Sequence, residues 1–222
     1  MIELTPRLKT IADLACLNGV PTTVCDVGTD HGYIPVYLAQ LGAEHVIATD
    51  ISAPSAQKAI DNATKYSVSE ILSVRVGDGL NTVKHNEAEC VIIAGMGGLM
   101  ITKILSAYIP KGVKNLVLQP MRSGYELRQY LVDNGFSITK EVLCEDDNRI
   151  YNIMLVDYGT GDNNDFNLNY GKIDRSPLYY KYIEKRKISL SKKIDGIITG
   201  GGIPDSILVK RLTQLDEILE GR

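Results

Sequence analysis

A mostly parallel α/β sheet is predicted by three observations on this 222-residue chain. From Thr22 onward, five short and nearly continuous apolar runs alternate with helical stretches, the signature of βαβ units covered on both faces. Two further strand-like runs follow directly on one another, with the alternation of an antiparallel pair. Beyond about residue 170 only helical spacing is present. The expected architecture is therefore a seven-stranded, mostly parallel sheet with an antiparallel edge hairpin, followed by a C-terminal antiparallel helical hairpin.

The elements follow in order. Thr5-Pro6 supplies an N-cap and a first helical position, opening a helix through Leu8, Ile11, Ala12 and Ala15 to about Leu17, where Asn18-Gly19 ends it. The parallel strands are TTVCDV (22–27), EHVIATD (44–50), LSVRVGD (72–78), ECVIIAG (89–95) and KNLVLQP (114–120). Helices are expected near 33–41, 54–66, 99–109 and 124–134. SITKEVLCED and RIYNIMLVDYG, separated by Asp146-Asp147-Asn148, form the edge pair. Residues 159–170, rich in Gly, Asn and Asp, read as a linker. Two helices near 177–194 and 204–219, separated by glycines 200–202, complete the chain. The domain division is 1–160 and 170–222.

Composition narrows the function. Hydrophobic residues at 44% and charged residues at 23% exclude wholesale disorder. A chain of this length buries roughly 70–75% of its unfolded surface, so its core needs no staples. No apolar run approaches the length of a membrane span, and the N-terminus has no signal-peptide pattern. Cys16, Cys25, Cys90 and Cys144 lie far apart, so neither a zinc cluster nor a disulfide scaffold is expected. The expectation is a cytoplasmic monomer with no metal and no membrane partner. The net charge of −3 hides an asymmetry: residues 1–170 carry 13 basic and 20 acidic side chains, whereas residues 171–222 carry 11 basic and 7 acidic. A basic tail leaves a nucleic-acid partner open.

In open α/β sheets ligands bind beyond the carboxyl ends of the strands. The first strand ends in Asp26-Val27-Gly28-Thr29-Asp30-His31-Gly32. A dinucleotide fingerprint would place its middle glycine where Asp30 stands, and a carboxylate there repels a pyrophosphate. Asp26 and Asp30 suit instead a cationic ligand such as S-adenosylmethionine, which carries an ammonium and a sulfonium. Asp50, at the end of the second strand, is placed to accept both ribose hydroxyls of an adenosine. Asp78, in Gly77-Asp78-Gly79-Leu80, can accept from the adenine amino group while the neighbouring backbone bonds a ring nitrogen. Asp26, Gly28, Asp50 and Asp78 at successive strand ends point to a Rossmann-like class I methyltransferase fold; singly, each is also an ordinary turn residue.

The fourth strand ends in Gly95-Met96-Gly97-Gly98. This is either a flexible turn or a side-chain-free surface that lets a flat acceptor ring approach the methyl donor. The Asn/Asp-Pro-Pro-aromatic motif of many amino-group methyltransferases is absent here, which disfavours an exocyclic amine as acceptor. In Gln119-Pro120-Met121-Arg122, Gln119 is a candidate for the substrate base and Arg122 for a phosphate, or for a solvated charge at a helix start.

With DVGTDHGYIP at 26–35, ATDIS at 48–52, GDGL at 77–80, AGMGG at 94–98 and LQPM at 118–121, the chain resembles the bacterial tRNA (adenine-22 N1)-methyltransferase family over essentially its whole length. The resemblance implies an S-adenosylmethionine-dependent fold acting on tRNA. It implies a cofactor site on Asp26, Gly28, His31, Asp50, Ile51, Asp78, Gly79 and the turn starting at Gly95. By their places in the same turns Thr29, Met96 and Gly97 join it, and Gly98, Gln119, Pro120 and Arg122 at the strand ends are the substrate-side candidates.

Attack by adenine N1 spreads positive charge over N1 and the 6-amino group, which a nearby carboxylate stabilises. Asp30 is the first candidate and His31 the second. The alternatives are a helix cap for Asp30, and for His31 a cofactor contact or a structural hydrogen bond. His45 and His85 read as surface positions. N1 lies on the Watson–Crick edge, so a paired adenine must first be exposed, at a cost recovered by contacts elsewhere. The basic tail supplies candidates: Lys181, Lys185, Arg186 and Lys192, with Lys187, Lys193, Lys210 and Arg211. Tyr179, Tyr180 and Tyr182 are candidate stacking surfaces, at least one of them core. Two rival readings are a class I methyltransferase for a protein or small molecule, and a non-enzymatic adenosine-cofactor sensor.

Overall fold

The computed structural model describes residues 1–221, so Arg222, the last residue of the second expected domain, lies outside the described residues. Seven strands form one sheet in the order β3-β2-β1-β4-β5-β7-β6. β1 (Thr23–Val27), β2 (His45–Asp50), β3 (Leu72–Val76), β4 (Cys90–Met96) and β5 (Asn115–Pro120) are parallel. β6 (Phe136–Asp146) and β7 (Arg149–Tyr158) form the antiparallel hairpin at the edge. The strand order reverses between β1 and β4, which makes their carboxyl ends the switch point of the sheet.

Side-chain alternation along the strands builds two cores. Ile92, Val117, Ile153 and Leu155 face α1 (Pro6–Ala15) and α2 (Tyr33–Leu41), packing with Ile11, Leu14, Ile34 and Leu38. Their neighbours Ile93, Leu116, Leu118 and Met154 face the other way. They pack with Ile101 and Leu105 of α4 (Gly98–Ala107) and with Leu127 and Leu131 of α5 (Gly124–Asp133). α3 (Ala53–Lys65) covers the β2–β3 side through Ala56, Ala59 and Ala63. Caps fall where the sequence places them: Thr5 Oγ1 accepts from Leu8 N, and Ser52 Oγ accepts from Ser55 N. Arg128 is buried in α5 with Glu141 of β6 as its ion-pair partner, and its Nη1 donates to the Leu168 carbonyl at 3.3 Å. A charge is tolerated at that depth because its partner and a carbonyl satisfy it.

The chain divides into two units after Asn169. The segment expected from its Gly, Asn and Asp content to be a plain linker contains a short helix, α6 (Asp165–Tyr170), with Asx-type bonds of Asp162 and Asn164 at its start. In the second unit α7 (Pro177–Thr199) and α8 (Ser206–Glu220) pack as a helical pair. α7 runs five residues past its expected end, stopping only at the glycines. Lys187 Nζ meets Asp216 Oδ1 at 2.5 Å across the pair. Tyr182 hydroxyl donates to the Tyr170 carbonyl. Tyr179 and Tyr182 are both buried, which removes them as stacking surfaces and leaves Tyr180 half-buried.

Candidate active site

A cleft of about 580 Å³ opens at the switch point. One wall is the β1–α2 turn with Asp26, Gly28, Thr29, Asp30, His31 and Tyr33; the floor is Ala94, Gly95 and Met96 from the end of β4. The opposite wall was not anticipated. It consists of Thr5, Arg7 and Leu8 from the start of α1, with Asp146, Asp147 and Tyr151 from the β6–β7 turn. A signal for this existed: a hairpin whose second strand runs antiparallel to β5 returns its turn to the carboxyl edge of the sheet. For Arg7 and Tyr33 no such signal exists, since both occur in ordinary helical sequence.

Asp26 is 5% exposed on β1, and among the described residues no ion pair balances it. Burial pushes its carboxyl up to about 6; the Thr29 hydroxyl opposes this and the Asp50 charge adds to it. That hydroxyl does not reach hydrogen-bond geometry, so Thr29 Oγ1 is buried without a partner. Gly28 has φ +73, and a Cβ there would lie 2.2 Å from Met96 Cε. The backbone N–H groups of Gly28 and Thr29 both donate to the Thr49 carbonyl, which ties the turn to β2.

Asp50 is held rigidly: its Oδ1 accepts from Ser52 N at 2.8 Å and its Oδ2 from Asp30 N at 3.1 Å. Lone pairs remain on both oxygens for further donors. Asp30 is a non-glycine residue at φ 48, a strained conformation. Its exposed carboxylate lies 3.6 Å from His31 Nε2 and 3.8 Å from Lys58 Nζ. It caps nothing: the N-cap of α2 is Gly32, with no side-chain bond. His31 stacks on Tyr33 at 5.2 Å between centroids, and its carbonyl accepts from Asn62 Nδ2.

The other expected residues divide. Ile51 is 72% exposed beside Asp50. Asp78 and Gly79 line a separate hollow of about 40 Å³ with Met100, Lys103 and Ile104, while Thr49 Oγ1 donates to the Gly79 carbonyl. Gly97 approaches Arg122, whose side chain is exposed, at the β4 turn. Gly98 is buried against the Ser123 carbonyl, so its lack of a side chain serves packing. Gln119 is fully buried and Pro120 ends β5; the Gln119 amide is occupied within the protein. Lys181, Lys185, Arg186 and Lys192 are all exposed along α7, with the Arg186 guanidinium over the Tyr182 ring. Exposed His45 and His85 lie away from the cleft lining. Among the described residues no group of three or more His, Cys, Asp or Glu is arranged for a metal, and no helix is long and apolar enough to cross a membrane.

A buried carboxylate, a hydroxyl without a partner among the described residues and a glycine cradle at the switch point of this sheet fit the donor site of a class I methyltransferase. The methyltransferase-domain family matches residues 4–154. The tRNA (adenine(22)-N(1))-methyltransferase of Bacillus subtilis is 33% identical over 164 residues, covering 72% of this chain and 68% of that protein. The crystal structure of the B. subtilis m1A22 tRNA methyltransferase TrmK superposes with a TM-score of 0.75 at 25% identity, covering 99% and 97% of the two chains. The Streptococcus pneumoniae protein Sp1610, solved in complex with S-adenosyl-L-methionine, superposes with a TM-score of 0.86 at 26% identity, covering 98% and 100%. The chain belongs to the bacterial tRNA (adenine-22 N1)-methyltransferase family.

Proposed function

We propose that this protein transfers the methyl group of S-adenosyl-L-methionine to N1 of adenine 22 in tRNA, acting as a cytoplasmic monomer. The observation that carries the reading is the buried, unpaired Asp26 at the switch point, beside the cradle of Gly28 and Thr29. A cationic amino-acid group compensates that carboxylate, and the orphan Thr29 hydroxyl gains a partner. Asp50 accepts the ribose hydroxyls, its carboxylate already fixed by two backbone N–H groups. Ile51 covers one face of the adenine, and the Asp78-Gly79 turn accepts at its edge. The bound donor supplies an electrophilic methyl group on a sulfonium.

The chain's own residues then hold the acceptor. Gly95 and Met96 line the cleft, and with Gly97 they leave room for the target ring to come close to the methyl donor. N1 of adenine has a free lone pair, so no strong base is needed. Asp30 places negative charge at the cleft, where the product adenine becomes positive, with His31 and Lys58 beside its carboxylate. Its left-handed backbone is retained at a cost of order 1–3 kcal/mol, consistent with a functional constraint. Arg122, exposed beside Gly97 at the β4 turn, is the candidate phosphate contact.

Lys181, Lys185 and Lys192 recur at helical spacing; at 100° per residue they fall within about 40° of one another on α7. That stripe grips the RNA backbone and supplies binding energy for base exposure, while Arg186, about 100–140° further round the helix, packs on Tyr182.

Incubation with unmodified tRNA and labelled S-adenosylmethionine, followed by nucleoside mass spectrometry, tests the reading. 1-Methyladenosine is the expected product. Label appearing only in protein would support the protein-methylating alternative, and donor binding with no transfer would support a sensor.

A further inference from the structure

Arg7 is the meeting point of four elements around the cleft, and nothing in the cofactor site accounts for it. Its Nη1 donates to Gln119 Oε1 at 2.9 Å. The same oxygen accepts from the backbone N–H of Gly95 at 3.2 Å. The Arg7 guanidinium lies over the Tyr151 ring at 5.4 Å, and its backbone N–H donates to Asp146 Oδ2 at 3.2 Å. Gln119 is wholly removed from solvent, so its amide oxygen is available to no partner outside this cluster.

The geometry matters because of what Gly95 is. Its φ of +77 and the register shift between Ala94 and Met96 mark a bulge where β4 leaves the ladder. A glycine at a bulge has no side chain to fix its peptide plane, so the plane must be set by its hydrogen bonds. The Gly95 N–H is directed to Gln119, and in a trans peptide the Ala94 carbonyl then points the opposite way. Ala94, Gly95 and Met96 line the cleft, and on the proposed function the acceptor ring is held against them. The guanidinium bond fixes which way the Gln119 amide faces, so that its oxygen rather than its NH2 group is held toward the Gly95 N–H.

We propose that Arg7 is a positioning residue for methyl transfer, acting through Gln119 to fix the Ala94–Gly95 peptide against which the acceptor adenine is aligned. Although Arg7 lines the cleft, the role assigned to it runs through Gln119 and not through contact with the transferred methyl. The inference rests on the methyltransferase reading above. Methylation of tRNA by the wild-type protein tests that reading separately, and only the variants test Arg7.

Single-turnover rates at saturating donor and tRNA are measured for wild type, Arg7→Ala, Arg7→Lys, Gln119→Leu and the Arg7→Ala/Gln119→Leu double variant. Misplacing the floor should slow transfer by about ten- to a hundredfold in Arg7→Ala, with donor affinity changed by less than about threefold. Arg7→Lys preserves charge and helix but loses the planar fork, so it too should be slow, and it remains informative if the alanine variant folds poorly. The double variant should be no slower than the worse single one, since both break one chain of contacts. Added guanidinium ion should restore part of the Arg7→Ala rate. Wild-type rates in Arg7→Ala and Arg7→Lys, or losses that multiply in the double variant, would overturn the assignment.

Discussion

The two units handle charge in opposite ways. In the first, the important carboxylates are immobilised: Asp26 is buried in β1, and Asp50 is clamped by the N–H groups of Asp30 and Ser52. In the second, Lys181, Lys185, Arg186 and Lys192 stand exposed on long stems along α7. Fixed carboxylates discriminate individual donor atoms, because a shift of an ångström breaks the match. Flexible cations follow a phosphate backbone without demanding register. On the proposed function, the contrast separates recognition of a small cation from capture of a polyanion, and the net charge of −3 is the residue of the two.

The sharpest way to break this contrast is Asp50→Ala, which removes two acceptor positions for the ribose. At about 1.5–3 kcal/mol for each hydrogen bond to a charged group, donor affinity should fall by at least about a hundredfold in calorimetry. Asp30→Asn comes next: it keeps the shape of the turn but removes the charge. Single-turnover methylation should slow by about ten- to a hundredfold while donor affinity stays within a few-fold; an unimpaired rate would reject Asp30 as the charge stabiliser. On the other unit, replacing Lys181, Lys185 and Lys192 together with Gln should lower the slope of log affinity for tRNA against log salt by about two to three, leaving donor binding unchanged. An unaltered slope would reduce α7 to a packing element.

The smallest effect is in the pH profile. Asp26 must be ionised to meet a cationic donor, and burial holds its carboxyl near 6 in the free protein. Donor affinity should therefore be roughly tenfold weaker at pH 5 than at pH 7, and flat above 7. Asp26→Asn should bind more weakly and lose this dependence. The same raised value makes the Asp26 contribution to folding stability decline as pH rises from about 4 to about 6, then level off.

Much of the fold is legible in the sequence because strand runs and helical spacing agree everywhere from Thr22 to Tyr158. Asp26, Gly28 and Thr29 are legible because a switch-point turn constrains them chemically. Three features are not. Gln119 reads as substrate-facing from its place at a strand end, but only coordinates reveal that Arg7 and Gly95 occupy its oxygen. Gly98 belongs to a glycine-rich turn that suggests ligand approach, while its actual constraint is the Ser123 carbonyl. The edge hairpin signals that its turn returns to the carboxyl edge, but that Tyr151 and Asp146 themselves line the cleft depends on the pairing of β7 with β5, which local periodicity does not encode.

The most direct test of the central claim compares two tRNA transcripts that differ at one nucleotide, adenine or guanine at position 22, in a methyl-incorporation assay with the full-length protein. The account requires 1-methyladenosine in the first transcript and no incorporation in the second. Equal incorporation into both, or none into either, would contradict it.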